Sequence, residues 1–229
     1  MTDSTFSKDP VSIEFNSSMT TESGRKARLG DPANVHPDAV RYVRAAHDAF
    51  VSGHATVTRL AEDETRMPVV KHDAARTVGL RTVAAIEGAQ QSIMGLAKGF
   101  EDEAADAINQ AFAPNPAQAF TYIEIAKWIG ETAKAKDGIQ RIRDEMANDP
   151  DIVTTLHNSK PYIIGLAKEV RLSLLDAGVE MHQPDAMRKI DEAAKLRKLA
   201  DKYPRIAKAV RSSWWNNGLA DRARSRVEI

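Results

Sequence analysis

The stretch VRYVRAAHDAFVSGHATVTRLA, residues 40–61, decides the fold class. Its apolar or ring-bearing positions Val40, Val43, His47, Phe50, His54, Val57 and Ala61 recur at alternating intervals of three and four. That is the period of one helix side, sustained for three heptads, and it predicts a long helix with a packing seam. His36-Pro37-Asp38 opens this helix, with proline at the first helical position and an acid in the first turn. Met67-Pro68 interrupts it near Arg66, because proline lacks the N–H donor and restricts the residue before it.

Beyond that break the same spacing resumes. Val83, Ile86, Gln90, Ile93, Ala97, Phe100, Ala104, Ala107 and Ala111 predict a longer helix over residues 69–113. Many of these positions are small, and Gly79, Gly88, Gly95 and Gly99 lie among them, so a neighbouring helix is expected to approach closely. The two helices should form an antiparallel hairpin. After Ala113-Pro114-Asn115-Pro116 a third helix is expected over residues 117–147, its first half (Phe120, Ile123, Ile125, Trp128, Ile129) at the centre of the core. A short helix then ends near Leu156, another runs from Pro161 to Ala177, and Gly178 is expected to cap it. Gln183-Pro184-Asp185 starts a pair of helices, residues 185–202 and 204–215, followed by a polar tail from Leu219.

Residues 1–36 read differently. They are rich in Ser, Thr, Asp, Asn, Gly and Pro, with one alternating segment from Val11 to Phe15 suited to an edge strand and a basic cluster at Gly24-Arg25-Lys26-Ala27-Arg28. We expect an extended polar arm ordered by contacts outside its own bundle. The expected architecture is therefore all-α: a multi-helix bundle with a long helical hairpin, an extended N-terminal arm (1–36), a bundle core (37–183) and a basic C-terminal helix pair (184–229).

The formal net charge is zero, but it is unevenly distributed. From Pro184 onward there are 12 Lys/Arg against 6 Asp/Glu, whereas the preceding residues hold 20 basic and 26 acidic ones. Arg188, Lys195, Lys198, Lys202 and Arg205 recur at helical spacing, with Lys208 and Arg211 continuing beyond Pro204 and Trp214-Trp215 closing the segment. A basic stripe of this kind suits an acidic protein surface or a phosphate backbone, and tryptophan is a frequent interface anchor. These nine residues are the candidate interaction site.

Chemistry is poorly supplied. There is no cysteine, hence no thiolate metal site, disulfide or thiol nucleophile. His47 and His54 share a stripe, but seven residues is a rise of about 10.5 Å, too far for one ion. The runs Glu62-Asp63-Glu64 and Glu101-Asp102-Glu103 read as solvated faces. No phosphate loop or nucleophile elbow is present, so we expect no catalytic, cofactor or metal residues. The N-terminal MTDSTFSKDP has no apolar core of a signal peptide, and no apolar run approaches the ~20 residues of a membrane span. A soluble protein of the cytoplasm or of a virion is expected.

The expected function is a non-enzymatic structural or assembly subunit that binds copies of itself or other protein subunits, of the kind found in a virus particle such as a tailed-phage head or connector. The alternative is a helical protein bound to nucleic acid through residues 188–226. A third reading is an enzyme whose acidic and histidine residues converge only in three dimensions.

Overall fold

A computed structural model describes residues 9–224, and these are helical throughout apart from turns, with no strand among them. In chain order the helices are α1 (Pro10–Thr20), α2 (Glu22–Leu29), α3 (Val40–Glu62, preceded by a 3-10 turn at Pro37–Ala39), α4 (Pro68–Ala111), α5 (Ala119–Thr132), α6 (Gly138–Met146), α7 (Pro150–Asn158), α8 (Lys168–His182), α9 (Pro184–Ala200), α10 (Tyr203–Ser213) and α11 (Asn217–Arg224). The all-α bundle with long helices is thus observed. Contacts divide it into two compact units, one formed by the chain up to Ala97 together with that from Ala194 onward, the other by Lys98–Ala193.

In the first unit α3 and the first part of α4 form the hairpin. Lys71 Nζ donates to the carbonyl of Ala61 at 3.1 Å near the turn, and Thr82 Oγ1 donates to that of Ala49 at 3.4 Å further along, which fixes an antiparallel course. The α3 seam buries Val43, Ala46, Phe50, Gly53 and Val57. Val43, Phe50 and Val57 are the expected positions, while Ala46 and Gly53 take the inward places and leave His47 and His54 at the margin. On α4 the buried row includes Ala75, Gly79, Val83, Ile86, Ile93 and Ala97. The close approach does not fall at Gly88, Gly95 or Gly99, where an added Cβ would meet nothing within 4 Å. It falls at Gly53 and Gly79.

The N-terminal segment is a correction. From Asp9 onward it contains two helices and is not an extended arm, Val11–Phe15 is helical and not a strand, and the pair is held by the rest of its own unit, while residues 1–8 of the expected arm lie outside the described residues. Asp9 caps α1 through the N–H of Ser12, Pro10 sits in its first turn, and Thr21 caps α2. Polar composition hides a buried row: Phe15, Asn16 and Met19 follow Ser12 by three, four and seven residues and so share one side of α1, and Leu29 ends α2 fully buried. Gly30 follows with φ +94, a conformation that favours glycine, and an added Cβ there would lie 2.8 Å from Leu199 Cδ1 of α9. Tyr203 is fully buried and donates its hydroxyl to the Leu29 carbonyl at 2.9 Å, and burial pushes its phenol pKa up. Apolar burial and these hydrogen bonds supply what the composition seemed to lack to offset ordering entropy.

The second unit has its own core, in which Phe112, Ile129, Ile142, Met146, Leu156, Ile164 and Leu174 are buried. Four expectations change here. The helix foreseen over 117–147 is broken at Ala133–Asp137, and Gly138 restarts it where an added Cβ would overlap the Thr132 carbonyl. The first half of α5 is not the centre of the core: Phe120 is 75% exposed and Ile123 54%, and burial begins at Ala126. Gly178 lies inside α8, which runs on to His182, because the side chain of Val153 packs where a Cβ would stand. Residues after Pro161 form turns before α8 starts at Lys168. The predicted polar tail likewise contains α11.

Candidate interaction groove

The C-terminal tryptophans are buried, so neither offers itself as an exposed anchor. Helix α10 ends at Ser213, and Trp214 and Trp215 sit in the turn after it, where the 100° step between adjacent helical residues no longer applies. Trp214 is fully buried: its ring packs on Phe50 and His54 and faces Gly53, and its Nε1 donates to Asn16 Oδ1 at 3.0 Å. The ring of Trp215 faces Gly79 on α4. Directly after them the backbone N–H of Asn216 donates to His72 Nδ1 at 3.1 Å. The two rings thus fasten the C-terminal segment onto both helices of the hairpin.

The basic residues part company. Arg188 is exposed on α9 and pairs with Asp185 one turn away. Lys195 and Lys208 are exposed on α9 and α10. Arg211 reaches Glu87 on α4 at 2.9 Å. Arg226 lies outside the described residues.

Lys198, Lys202 and Arg205 come together. With Ala209 they are spaced four, three and four, so they share one side of the chain through the α9–α10 junction despite Pro204. They line one wall of a groove of about 530 Å³ whose opposite wall is α1–α2, with Phe15, Ala27 and Arg28. Four cations therefore face a single carboxylate, Asp201. Arg28 is held over the Phe15 ring at 5.6 Å and donates Nε to Ser18 Oγ at 3.3 Å, and Lys202 Nζ donates to the Ala27 carbonyl at 3.2 Å. The floor is apolar, made of Ala27, Ala209, the edges of Phe15 and Ile206, and the aliphatic stems of the cations. Arg28 was missing from the expected site because its basic cluster was assigned to an arm remote from the C-terminal stripe. Only the α1–α2 fold brings the two together.

The remaining polar candidates are occupied structurally. His47 Nε2 bonds the Gly30 carbonyl at 2.9 Å, His157 Nε2 contacts Asn109 Oδ1 at 3.0 Å and His182 Nε2 bonds the Met146 carbonyl at 2.7 Å. Burial lowers the pKa of His47, His72 and His157. Asp63 closes its turn by accepting from Thr65, Asp102 pairs with Lys98, and Glu103 pairs with Lys189. In the second unit a cleft of about 400 Å³ beside Trp128 carries Glu124, Arg141, Glu145 and Asp149. Its charge is mixed: Glu124 pairs with Lys127 at 2.7 Å, and Asp149 caps α7. No described helix is long and apolar enough to cross a membrane. The chain matches no protein-family model, no curated protein and no solved structure at a significant level.

Proposed function

We propose that this chain is a non-enzymatic assembly subunit that holds an anionic surface of a partner protein, another copy or a different subunit, in the groove between α2 and the α9–α10 junction. The observation that carries this reading is the convergence of Arg28, Lys198, Lys202 and Arg205 on one groove with one opposing carboxylate. Such a focus of like charge repels itself unless an anion meets it. A virus particle built from many associating subunits is a setting that suits this role.

Nucleic acid is the second reading, favoured by the same cations. Binding of single strands commonly uses an open aromatic face, and Phe15 is only 5% exposed. That asymmetry favours protein.

The test is binding of the full chain to labelled polyglutamate and to duplex DNA across a salt series, repeated with the Lys198→Glu/Arg205→Glu double variant. Binding to polyglutamate should weaken as salt rises, since exposed charges are screened over about 8 Å at physiological ionic strength, and the variant should lose it. Binding to DNA alone would shift the assignment to nucleic acid. Binding to neither polyanion defeats the reading.

A further inference from the structure

We infer that the groove takes an acidic polypeptide segment carrying an apolar anchor residue in preference to a uniformly charged polyanion, which it holds more weakly. The inference rests on the reading above and specifies its ligand. Its basis is the arrangement of the walls. The cations stand at the rim, while the floor between them is carbon: Ala27, Ala209 and the edges of Phe15 and Ile206.

A ligand that offers charge alone would satisfy the rim and leave that floor wet. An aliphatic side chain placed on it exchanges water for apolar contact while carboxylates on either side meet the cations. The rim is also shaped by fixed partners. Arg28 is positioned by Ser18 and Phe15, and Lys202 by the Ala27 carbonyl, so two of the four cations are held in place before any ligand arrives. Such preorganisation lowers the ordering cost of binding. A base has no comparable seat: the Phe15 face is covered by its own chain, including Phe50, whose ring meets it edge-on at 5.9 Å. Asp201 adds a repulsive element that disfavours a continuous run of acids and leaves one ligand position to a neutral residue.

The experiment uses the full chain and a matched pair of labelled acidic peptides, identical except for leucine or serine at the centre, with a single-stranded DNA of equal charge beside them. The leucine peptide should bind roughly tenfold more tightly than the serine peptide, as expected for partial burial of one aliphatic side chain. Ala27→Trp fills the floor from an exposed position on α2 and should erase that difference, and Arg205→Glu should weaken both peptides alike. Should Ala27→Trp unfold the protein, the peptide pair on the unsubstituted chain still decides. Equal affinities for leucine and serine peptides overturn the anchor and leave the anionic-partner reading standing. Binding of the DNA with neither peptide overturns the inference and the choice of a protein partner together. Binding of no probe at all removes the proposed function as well.

Discussion

At the residue scale the two buried tryptophans reverse the usual effect of a helical glycine. Replacing glycine by alanine inside a helix ordinarily stabilises it by about 1 kcal/mol. At Gly53 an added Cβ would lie 2.2 Å from Thr82 Oγ1 and 2.9 Å from the Trp214 ring, and at Gly79 it would lie 2.4 Å from the Trp215 ring. Gly53→Ala and Gly79→Ala should therefore destabilise by about 1–3 kcal/mol through overpacking, while Gly88→Ala and Gly95→Ala, which face open space, should stabilise. Urea denaturation of the four variants checks the opposed signs, and stabilisation at Gly53 would contradict the packing of Trp214. Histidine gives a second prediction. Burial holds His72, as well as His47 and His157, below the ordinary value of 6.5, so on acidification the unfolded chain binds protons before the folded one does. Their contribution is fully present above about pH 6.5 and is lost as pH falls through the depressed folded values. The melting temperature should drop between pH 7 and pH 5, and His72→Asn, which keeps an acceptor for the Asn216 N–H, should flatten that drop. These residue-level roles were not legible in the sequence. Spacing placed Gly79 in a helix but gave no sign that Trp215, far along the chain, would lie against it.

At the scale of elements, periodicity was readable wherever a helix met its partner along a continuous stripe. The α3–α4 hairpin was legible for that reason, with the prolines at 37 and 68 marking the starts of its two helices and those at 184 and 204 the starts of α9 and α10. It failed where a short helix buries few residues. Helix α1 carries only Phe15 and Met19 as large buried apolar groups, too few to outweigh its serines and threonines in a composition reading. It failed too at Gly178, where a neighbour's side chain and not a helix end explains the glycine. Half of the groove was visible as the Lys198–Arg205 stripe, and the other half was hidden by the misread arm. The corrected placement changes the expected result of a truncation. Removing the residues up to Leu29 would uncover Phe50, Tyr203 and Trp214 and strand the Trp214 indole N–H without its Asn16 acceptor. The truncated chain should lose cooperativity in thermal unfolding followed by circular dichroism. The milder Asn16→Ala leaves a buried donor unpaired and should cost about 1–3 kcal/mol. A truncated chain as stable as the whole would restore the detached arm.

At the scale of the whole molecule, the excess of positive charge after Pro184 is only partly displayed. Arg211 is engaged by Glu87, Lys189 by Glu103 and Arg188 by Asp185, and Asp221 of α11 is itself taken up by Arg76. Within the acidic run at Glu101-Asp102-Glu103, Asp102 and Glu103 are similarly engaged by Lys98 and Lys189. What stays concentrated is the groove, in the unit whose chain is discontinuous. That discontinuity has a folding consequence. The second unit is one uninterrupted stretch, Lys98–Ala193, and its core from Phe112 to Leu174 is drawn wholly from itself. The first unit closes only when residues from Ala194 onward return, bringing Leu199, Tyr203, Trp214 and Trp215 to seats prepared by α1–α4. A fragment of residues 98–193 should therefore fold alone with a cooperative urea transition, since roughly a hundred residues can enclose a sufficient core. A fragment of residues 1–97 should not, because the seats on Gly53 and Gly79 and the Asn16 acceptor would be empty. Joining residues 194–229 to it through a flexible linker should restore a cooperative transition, and Trp214→Ala should abolish the restoration. A non-cooperative 98–193 fragment would show that its core needs the rest of the chain, and a cooperative 1–97 fragment would show that the tryptophans decorate a fold already complete.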